Sequence, residues 1–306
     1  MKVLLAVDDS SYSERATMTL KALGLPSQTE VTVLTVVPEH NFLGDISLHM
    51  FRGTAAARKR AHKTQEERAA ELLKGPVDML RASRVKVESL VCQGRPAEEI
   101  LNKAREIGAQ LIVIGAKGEG DSPRFPLGGV AQKVMKYAEA SVLLAREKNT
   151  HIRRVLVATD GSKYSDEAVG FLLDLPLPPK SEVFVVTAMQ SWNPALVRAF
   201  TRDWKTDQQI LRDLQRSEEE RAQILVTETK KRFREKGYEA STMVLKGEPA
   251  EEILGAAETL NPAVIALGAR GLTGIEAFLL GSVAQRVARF ASYSVLIGRA
   301  QGRELS

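Results

Sequence analysis

The sequence predicts an α/β fold in which each half of the chain forms a parallel β-sheet with helices on both faces. Two observations support this prediction. The first is an internal repeat whose period is half the chain, and the second is a regular alternation of short apolar runs with longer helical patterns in each repeat. Near-continuous apolar strands separated by helices are typical of parallel sheets that are buried on both faces.

The repeat is visible as three pairs of matching segments. They are "KVLLAVDDSSYSERA" (2–16) with "RVLVATDGSKYSDEA" (154–168), "GRPAEEIL" (94–101) with "GEPAEEIL" (247–254), and "GAKG" (115–118) with "GARG" (268–271). The offset is 152 residues for the first pair and 153 for the other two, so the repeats differ by one inserted residue. Such a period indicates duplication of a whole domain. We predict domains at 1–147 and 152–306, joined by a short polar segment.

Each repeat is predicted to contain five strands. In the first they lie at Val3–Val7, Val31–Val37, Val85–Val91, Leu111–Ile114 and Val142–Ala145, with helices at about 12–23, 55–81, 96–108 and 130–138. In the second they lie at Val155–Thr159, Val183–Ala188, Thr242–Leu245, Ala263–Leu267 and Val295–Gly298. A long helix at about 206–237 carries an apolar stripe that should face the core: Leu211, Leu214, Ala222, Leu225 and Phe233.

Length and composition exclude several classes of protein. The chain has 306 residues, of which 44% are hydrophobic, and no apolar run reaches the roughly 20 residues of a membrane span. The N-terminal "MKVLLAVDDS" is predicted to be a first strand rather than a signal peptide, because its apolar run is short and ends in two aspartates. The single cysteine, Cys92, is expected to be buried, and one cysteine fits a cytoplasmic location.

Charge and histidine content argue against nucleic-acid and metal-binding classes. The net charge of +5 is mild, and basic residues alternate with acidic ones, as in "RDLQRSEEERAQ". The basic cluster "RKRAHK" has no accompanying nucleic-acid motif and is expected to be a charged helix surface. The four histidines have no metal-ligand spacing. We therefore expect neither a nucleic-acid nor a membrane partner.

A glycine pattern after the fourth predicted strand is the main indication of function. In the second repeat Gly268 and Gly271 follow "PAVIAL", and Gly281 with Ser282 opens the next helix. Ligands of open parallel sheets bind outside the carboxyl ends of the strands, and helix N-termini favour anions. The pattern predicts a phosphate site, with residues 272–280 arching over the ligand. Ser282 would either cap the helix or donate its hydroxyl to a phosphate oxygen.

An aspartate ends the first strand of each repeat, Asp8 in the first and Asp160 in the second. Beside a phosphate loop, this carboxylate suits a ribose hydroxyl or a metal ion. The alternative is that it caps the following turn, with Ser162 and Ser165 beginning the helix. The chain has no GxxxxGK[ST] and no GxGxxG after its first strand, which excludes a P-loop and disfavours the usual dinucleotide fold.

The pattern G-x2-G-x9-G-[S/T], with a first strand that ends in Asp, resembles the universal stress protein family, and two copies resemble its tandem members. The resemblance implies two Rossmann-like or flavodoxin-like domains, each with a five-stranded parallel sheet in the order 3-2-1-4-5. It also implies ATP, with or without Mg²⁺, at the carboxyl edge. Dimer contacts would run through the last strands, between chains or as an internal pseudo-dimer.

The resemblance also implies roles for single residues. Asp160 would face the ribose, the backbone near Ala188 the adenine, and the glycines with Ser282 and Val283 the phosphates. Arg270 would add charge, or else be a solvent-exposed loop residue. The full implied site is Thr159, Asp160, Ala188, Gly268, Arg270, Gly271, Gly281, Ser282 and Val283.

The first repeat departs from the family pattern. It keeps the glycine spacing, but Gly129 replaces the final Ser/Thr, and Glu119 and Asp121 occur where phosphates would lie. Two carboxylates would repel a triphosphate, so we expect ATP mainly in the second domain. The weaker first site would comprise Asp8, Gly115, Gly118, Gly128 and Gly129. The alternative is that Glu119 or Asp121 recruits Mg²⁺ and this domain binds as well.

The expected function is a regulatory stress-response module that binds an adenine nucleotide and a protein partner. Two alternatives are a slow ATPase or phosphotransferase and an interaction module without nucleotide. An enzyme is disfavoured because the sequence shows no Walker lysine, no evident general base and no metal cluster. The segments 40–54 and 190–206 differ between the repeats and contain Trp192 and Trp204. They are candidates for partner surfaces or lids, or their tryptophans anchor local packing.

Overall fold

The computed structural model describes residues 1–26, 28–38, 55–83, 85–122, 124–146, 151–189, 204–271 and 280–300, with the side chains of the two long helices described from 67 and 209. The described chain divides into two compact units, which comprise Met1–His151 and Ile152–Ala300. Most of the two candidate partner segments, at 40–54 and 190–203, lies outside the described residues. So does the expected arch at 272–279.

The first unit alternates strands with helices along its whole length. Its elements are β1 (Lys2–Ala6), α1 (Ser11–Ala22), β2 (Glu30–Pro38), α2 (Ala55–Arg81), β3 (Lys86–Gly94), α3 (Pro96–Ile107), β4 (Leu111–Gly115), α4 (Gly129–Tyr137) and β5 (Ser141–Ala145). All four strand pairings are parallel, in the order β3-β2-β1-β4-β5. Val3 of β1 pairs with Val31 on one side and Leu111 on the other.

The second unit repeats this arrangement. Its elements are β6 (Arg154–Ala158), α5 (Lys163–Asp174), β7 (Glu182–Met189), α6 (Trp204–Glu235), β8 (Glu239–Lys246), α7 (Pro249–Leu260), β9 (Val264–Gly268), α8 (Ser282–Phe290) and β10 (Ser294–Gly298). Its strands are also parallel, in the order β8-β7-β6-β9-β10. The predicted α/β fold and the order 3-2-1-4-5 are therefore confirmed in both units.

The sequence explains why these segments form strands and helices. The strands β4, β5, β9 and β10 are buried at every position, as expected for apolar runs covered by helices on both faces. Ser10 caps α1 and Ser162 caps α5, each accepting from a backbone N–H three residues on. In both sheets the order reverses between the first and fourth strands, so their carboxyl ends lie side by side.

Two details of the predicted core differ from the structure. In α6, Ala222 and Phe233 are buried as expected, but the other three predicted positions are only half-buried. The buried stripe continues through Val226 and Thr229 instead, at spacings of three and four residues. Cys92 is half-buried rather than buried, because β3 is the edge strand of its sheet. Among the described residues, no helix has both the length and the apolar character that a membrane crossing requires.

Candidate functional site

The two ends of the glycine loop meet in the second unit. The N–H of Gly281 donates to the carbonyl of Ala269 over 2.8 Å, and a Cβ on Gly281 would lie 3.2 Å from Cα of Arg270. Gly281 is the N-cap of α8, and Ser282 is the first helical residue. Capping by Ser282, one of two roles expected from the sequence, is therefore wrong. Ser282 is instead exposed in the first turn of α8. The backbone N–H groups of a first turn have no partner within the helix, an arrangement that favours anions.

Asp160 lies between this loop and the start of α5. Its Oδ1 accepts from the N–H of Ser162 over 3.0 Å, which closes the turn after β6. Its Oδ2 lies on the side of Gly271, where a Cβ would stand 2.7 Å away. One oxygen thus caps the turn and the other faces the glycine loop, so turn capping leaves the second oxygen available for a ligand.

Three further residues of the implied site lie around the same sheet edge. Thr159 is buried, and its hydroxyl lies 3.1 Å from the hydroxyl of Ser165, so its oxygen is engaged within the protein. Ala188 is half-buried near the end of β7. Val283 is half-buried in the first turn of α8. These positions border the site from the first strand, the second strand and the helix.

Arg270 is buried, so the solvent-exposed alternative is wrong. Its side chain is 9% exposed, its Nη1 donates to the hydroxyl of Tyr164 over 3.1 Å, and its guanidinium lies 5.0 Å from the centre of that ring. Burial, together with the positive charge of Arg270, lowers the pKa of Arg299 to about 10. Two guanidinium groups therefore raise the electrostatic potential near the glycine loop. Sequence analysis missed Arg299, although an arginine ends both "SVLLAR" and "SVLIGR".

The first glycine of each pattern has a packing role. A Cβ on Gly268 would lie 2.6 Å from the backbone carbonyl of Tyr164, and a Cβ on Gly115 would lie 2.7 Å from Cβ of Tyr12. Glycine at these positions lets the fourth strand approach the first helix closely. This contact explains the two glycines without any ligand.

The first unit builds the same loop closure. The N–H of Gly128 donates to the carbonyl of Ala116 over 2.9 Å, Gly128 is the N-cap of α4, and the helix begins at Gly129. A Cβ on Gly118 would lie 2.6 Å from Oδ2 of Asp8. The loop geometry inferred for phosphate therefore occurs in both units.

The carboxylate of Asp8 is more heavily engaged than that of Asp160. Its Oδ1 accepts from the N–H of Ser10 at 3.1 Å, the hydroxyl of Ser10 at 2.5 Å and the hydroxyl of Ser13 at 2.6 Å. Its Oδ2 accepts from the N–H of Glu119 over 2.8 Å. The acidic loop of the first repeat is thus tied to the end of β1.

Asp121 fills the centre of the first loop. Its Oδ2 accepts from the N–H of Gly118 over 2.7 Å, and a Cβ on Gly128 would lie only 2.0 Å from the same oxygen. A carboxylate of the protein therefore lies at the N-terminus of α4, where an anion is favoured. Within the described ranges, no three His, Cys, Asp or Glu side chains are grouped as a metal site. The Mg²⁺ alternative for this unit gains no support from the geometry.

A pocket of about 220 Å³ opens beside this loop in the first unit. Most of its wall is apolar and comes from β1, β2, α3 and β4, and its polar rim consists of Asp8, Lys117, Glu119 and Asp121. Val36, which lies in the wall, is the counterpart of Ala188 in the second repeat. The carboxyl edge of this sheet is thus concave and mainly apolar.

Both units match a single family model, described as the universal stress protein family, at residues 1–146 and 151–299. The chain belongs to the universal stress protein family. Two matches in one chain make it a tandem member, as the resemblance implied. Universal stress protein MJ0531 of Methanocaldococcus jannaschii is 28% identical over 170 residues, which are 56% of this chain and 95% of that protein.

Two solved universal stress proteins align with the chain. A universal stress protein from Archaeoglobus fulgidus aligns over 97% of this chain and 98% of its own, with a TM-score of 0.62 and 21% identity. A universal stress protein in complex with cAMP aligns over 47% of this chain and 95% of its own, with a TM-score of 0.33 and 20% identity. The first of these matches agrees with the tandem Rossmann-like architecture of the present universal stress protein.

Proposed function

We propose that this tandem universal stress protein binds ATP in its second unit and acts as a regulatory stress-response module. The observation that carries the proposal is the convergence of three features at one sheet edge. They are the N-terminus of α8 at Gly281, the carboxylate of Asp160 against Gly271, and the buried guanidinium of Arg270. The helix N-terminus and the guanidinium suit the phosphates of a nucleotide, and the carboxylate suits its ribose.

In the proposed complex the phosphates lie at the start of α8. Three donors point to the phosphate oxygens: the backbone N–H and the hydroxyl of Ser282, and the backbone N–H of Val283. Helix N-termini bind other anions in the same way. Arg270 and Arg299 contribute positive potential. Burial makes the charge of Arg299 unfavourable, and the negative charge of a triphosphate offsets this cost. Gly271 and Gly281 have no Cβ that would fill the space beside Asp160 and Arg270.

The sugar and base are proposed to lie toward the first two strands. Oδ2 of Asp160 accepts from a ribose hydroxyl while Oδ1 keeps its bond to the N–H of Ser162. The backbone near Ala188 faces the adenine edge. Mg²⁺ would enter with the nucleotide and neutralise part of its charge.

The first experiment is a count of the adenine nucleotides released when the purified protein is denatured. We expect about one per chain, because only the second unit is proposed to bind nucleotide. Ser282→Ala, made together with Gly281→Ala, should remove it. Gly129→Ala is the matched control, because Gly129 occupies the position of Ser282 in the first repeat.

Other outcomes of this count decide between the alternatives. No nucleotide, and no uptake when ATP and Mg²⁺ are added, would overturn the proposal and leave an interaction module. Two nucleotides per chain would show that the first unit binds as well. Conversion of added ATP to ADP well above background would favour the slow ATPase or phosphotransferase.

We propose two further properties of the protein. Its last strands form dimer contacts, either between two chains or as an internal pseudo-dimer, and sedimentation of the intact chain distinguishes these alternatives through the molecular mass. Its location is the cytoplasm, a proposal supported by the single cysteine in 306 residues. Fractionation of the source cells tests the location.

A further inference from the structure

We propose that the first unit binds an uncharged nucleoside, and not a nucleotide, in the pocket at the carboxyl edge of its sheet. The site is separate from the proposed ATP site of the second unit, so either proposal can fail without the other. The inference rests on the pocket wall, on the position of Asp121 and on the charge of the pocket rim.

The pocket wall suits a flat apolar ring. Val7 lines it directly after β1, and Val36 lines it from β2, Ile100 from α3 and Ile114 from β4. Small-molecule sites are typically concave and mainly apolar, with a few polar groups that fix orientation. The volume of about 220 Å³ accommodates a compact ligand such as a purine with its sugar.

Asp121 occupies the place that a phosphate would need. Its Oδ2 accepts from the N–H of Gly118 over 2.7 Å and lies beside Gly128 at the start of α4. A phosphate would have to displace this carboxylate, because the donor and the space cannot serve both groups. Of the remaining charged groups on the rim, Asp8 and Glu119 are negative and Lys117 is positive, so the rim keeps a net negative charge that repels a multiply charged anion at short range.

The same rim suits a ligand that ends in hydroxyl groups. Carboxylates accept hydrogen bonds, and a nucleoside presents ribose hydroxyls as donors where a nucleotide presents phosphate acceptors. Oδ2 of Asp8 accepts from the N–H of Glu119, and a carboxylate oxygen can accept two hydrogen bonds. A nucleoside therefore keeps the apolar contacts of the base and adds hydrogen bonds to the acidic rim.

Two of the three rim carboxylates, Glu119 and Asp121, are confined in sequence to the first repeat, whereas Asp8 has Asp160 as its counterpart. With the glycines aligned, Gly274 corresponds to Asp121 and Leu272 corresponds to Glu119. The second repeat therefore has no acidic residue at either position. The two units would divide the ligand classes between them, nucleotide in the second and nucleoside in the first.

Methyl NMR on the intact chain separates the two sites. Ile100 lies in α3 of the first unit, and Ile253 is its counterpart in α7 of the second; both are buried. Their signals are assigned with Ile100→Val and Ile253→Val. Added adenosine should shift the signal of Ile100, whereas ATP should leave it in place. The response of Ile253 to ATP reports the proposed function independently.

A substitution then tests the role of the carboxylate. Asp121→Gly introduces the residue of the second repeat and should raise the affinity of the first unit for ATP by about a hundredfold, because like charges no longer meet. Asp121→Asn removes the charge at nearly constant size and should produce most of this gain, which covers the case in which Asp121→Gly does not fold. Ser122→Gly, in the same loop, is the control and should leave the affinities for adenosine and ATP unchanged.

Two results would overturn the inference. One is an Ile100 signal that adenosine leaves unmoved at millimolar concentration. The other is an Ile100 signal that ATP shifts as strongly as adenosine does in the unsubstituted protein.

Discussion

Gly271 lies against the carboxylate of Asp160, so that a Cβ on Gly271 would stand 2.7 Å from Oδ2. Gly118 and Asp8 have the same relationship in the first unit, at 2.6 Å. The acidic residue after the first strand therefore keeps its position only because the loop after the fourth strand has glycine there. The glycine pattern and the aspartate, more than 100 residues apart in the chain, therefore lie side by side at one edge of the sheet.

Gly271→Ala should weaken ATP binding with little change in stability. The clashing atom is the end of a short side chain, so the alanine would displace the carboxylate of Asp160 rather than the backbone. Loss of its bond to the ribose should lower the affinity by about tenfold to a hundredfold, the value of one hydrogen bond to a charged group. Isothermal titration calorimetry measures this. Unchanged affinity would remove Asp160 from the proposed site.

Gly268→Ala should destabilise the second unit whether or not nucleotide is present. Its Cβ would lie 2.6 Å from the backbone carbonyl of Tyr164, and backbone atoms cannot move aside cheaply. Overpacking of this kind costs about 1–3 kcal/mol. Urea unfolding followed by tryptophan fluorescence tests it, because both tryptophans belong to the second repeat. An unaltered midpoint would contradict the packing role of this glycine.

Gly255→Ala should stabilise the same unit. Gly255 lies inside α7 at an exposed position, and a Cβ there would have no heavy atom within 4 Å. Alanine in a helix interior is favoured over glycine by about 0.5–1 kcal/mol. The urea midpoint should rise without a change in ATP affinity. This variant is also the matched control for the two glycine substitutions at the site.

The fold could be predicted from the sequence because the determining signals are local. The fully buried strands are short apolar runs, several helices have their own start signal, such as Ser10 before α1 and Ser162 before α5, and the repeat gives each assignment twice. Element ends differ from prediction by only a few residues, as for Val31–Val37, which lies within Glu30–Pro38. The buried face of α6 is an exception to this agreement, because the long helix has more apolar positions than the sheet buries.

The details of the site depend on contacts between distant residues, which sequence patterns do not specify. Arg270 was open to interpretation as an exposed loop residue because nothing nearby in sequence indicates that Tyr164 will cover it. The sequence placed Glu119 and Asp121 in the first glycine loop, and their role toward a phosphate stays a prediction. Asp121 accepts from the N–H of Gly118. This bond depends on the conformation of the turn at Gly118, which the sequence pattern does not specify.

Cys92 should react slowly with iodoacetamide, and the midpoint of its reaction rate against pH should lie at a higher pH than that of a free cysteine. Burial raises the pKa of its thiol, Lys103 opposes this, and Glu99 and Glu106 add to it. Because the thiolate is the reactive form, a raised pKa means less of it at any given pH. Lys103→Gln should move the midpoint higher still. A midpoint below that of free cysteine would contradict the assignment.

Gly274→Asp carries the acidic feature of the first repeat into the second, at the position that corresponds to Asp121. If a carboxylate there excludes phosphate, the affinity for ATP should fall by about a hundredfold. Gly274→Asn is the control, since it adds nearly the same volume without charge and should retain more of the affinity. Calorimetry measures the affinity, and tryptophan fluorescence shows whether the unit still folds. An equal loss of affinity in both variants would mean that bulk, rather than charge, excludes the nucleotide. Full ATP affinity in Gly274→Asp would deprive the nucleoside proposal for the first unit of its main support.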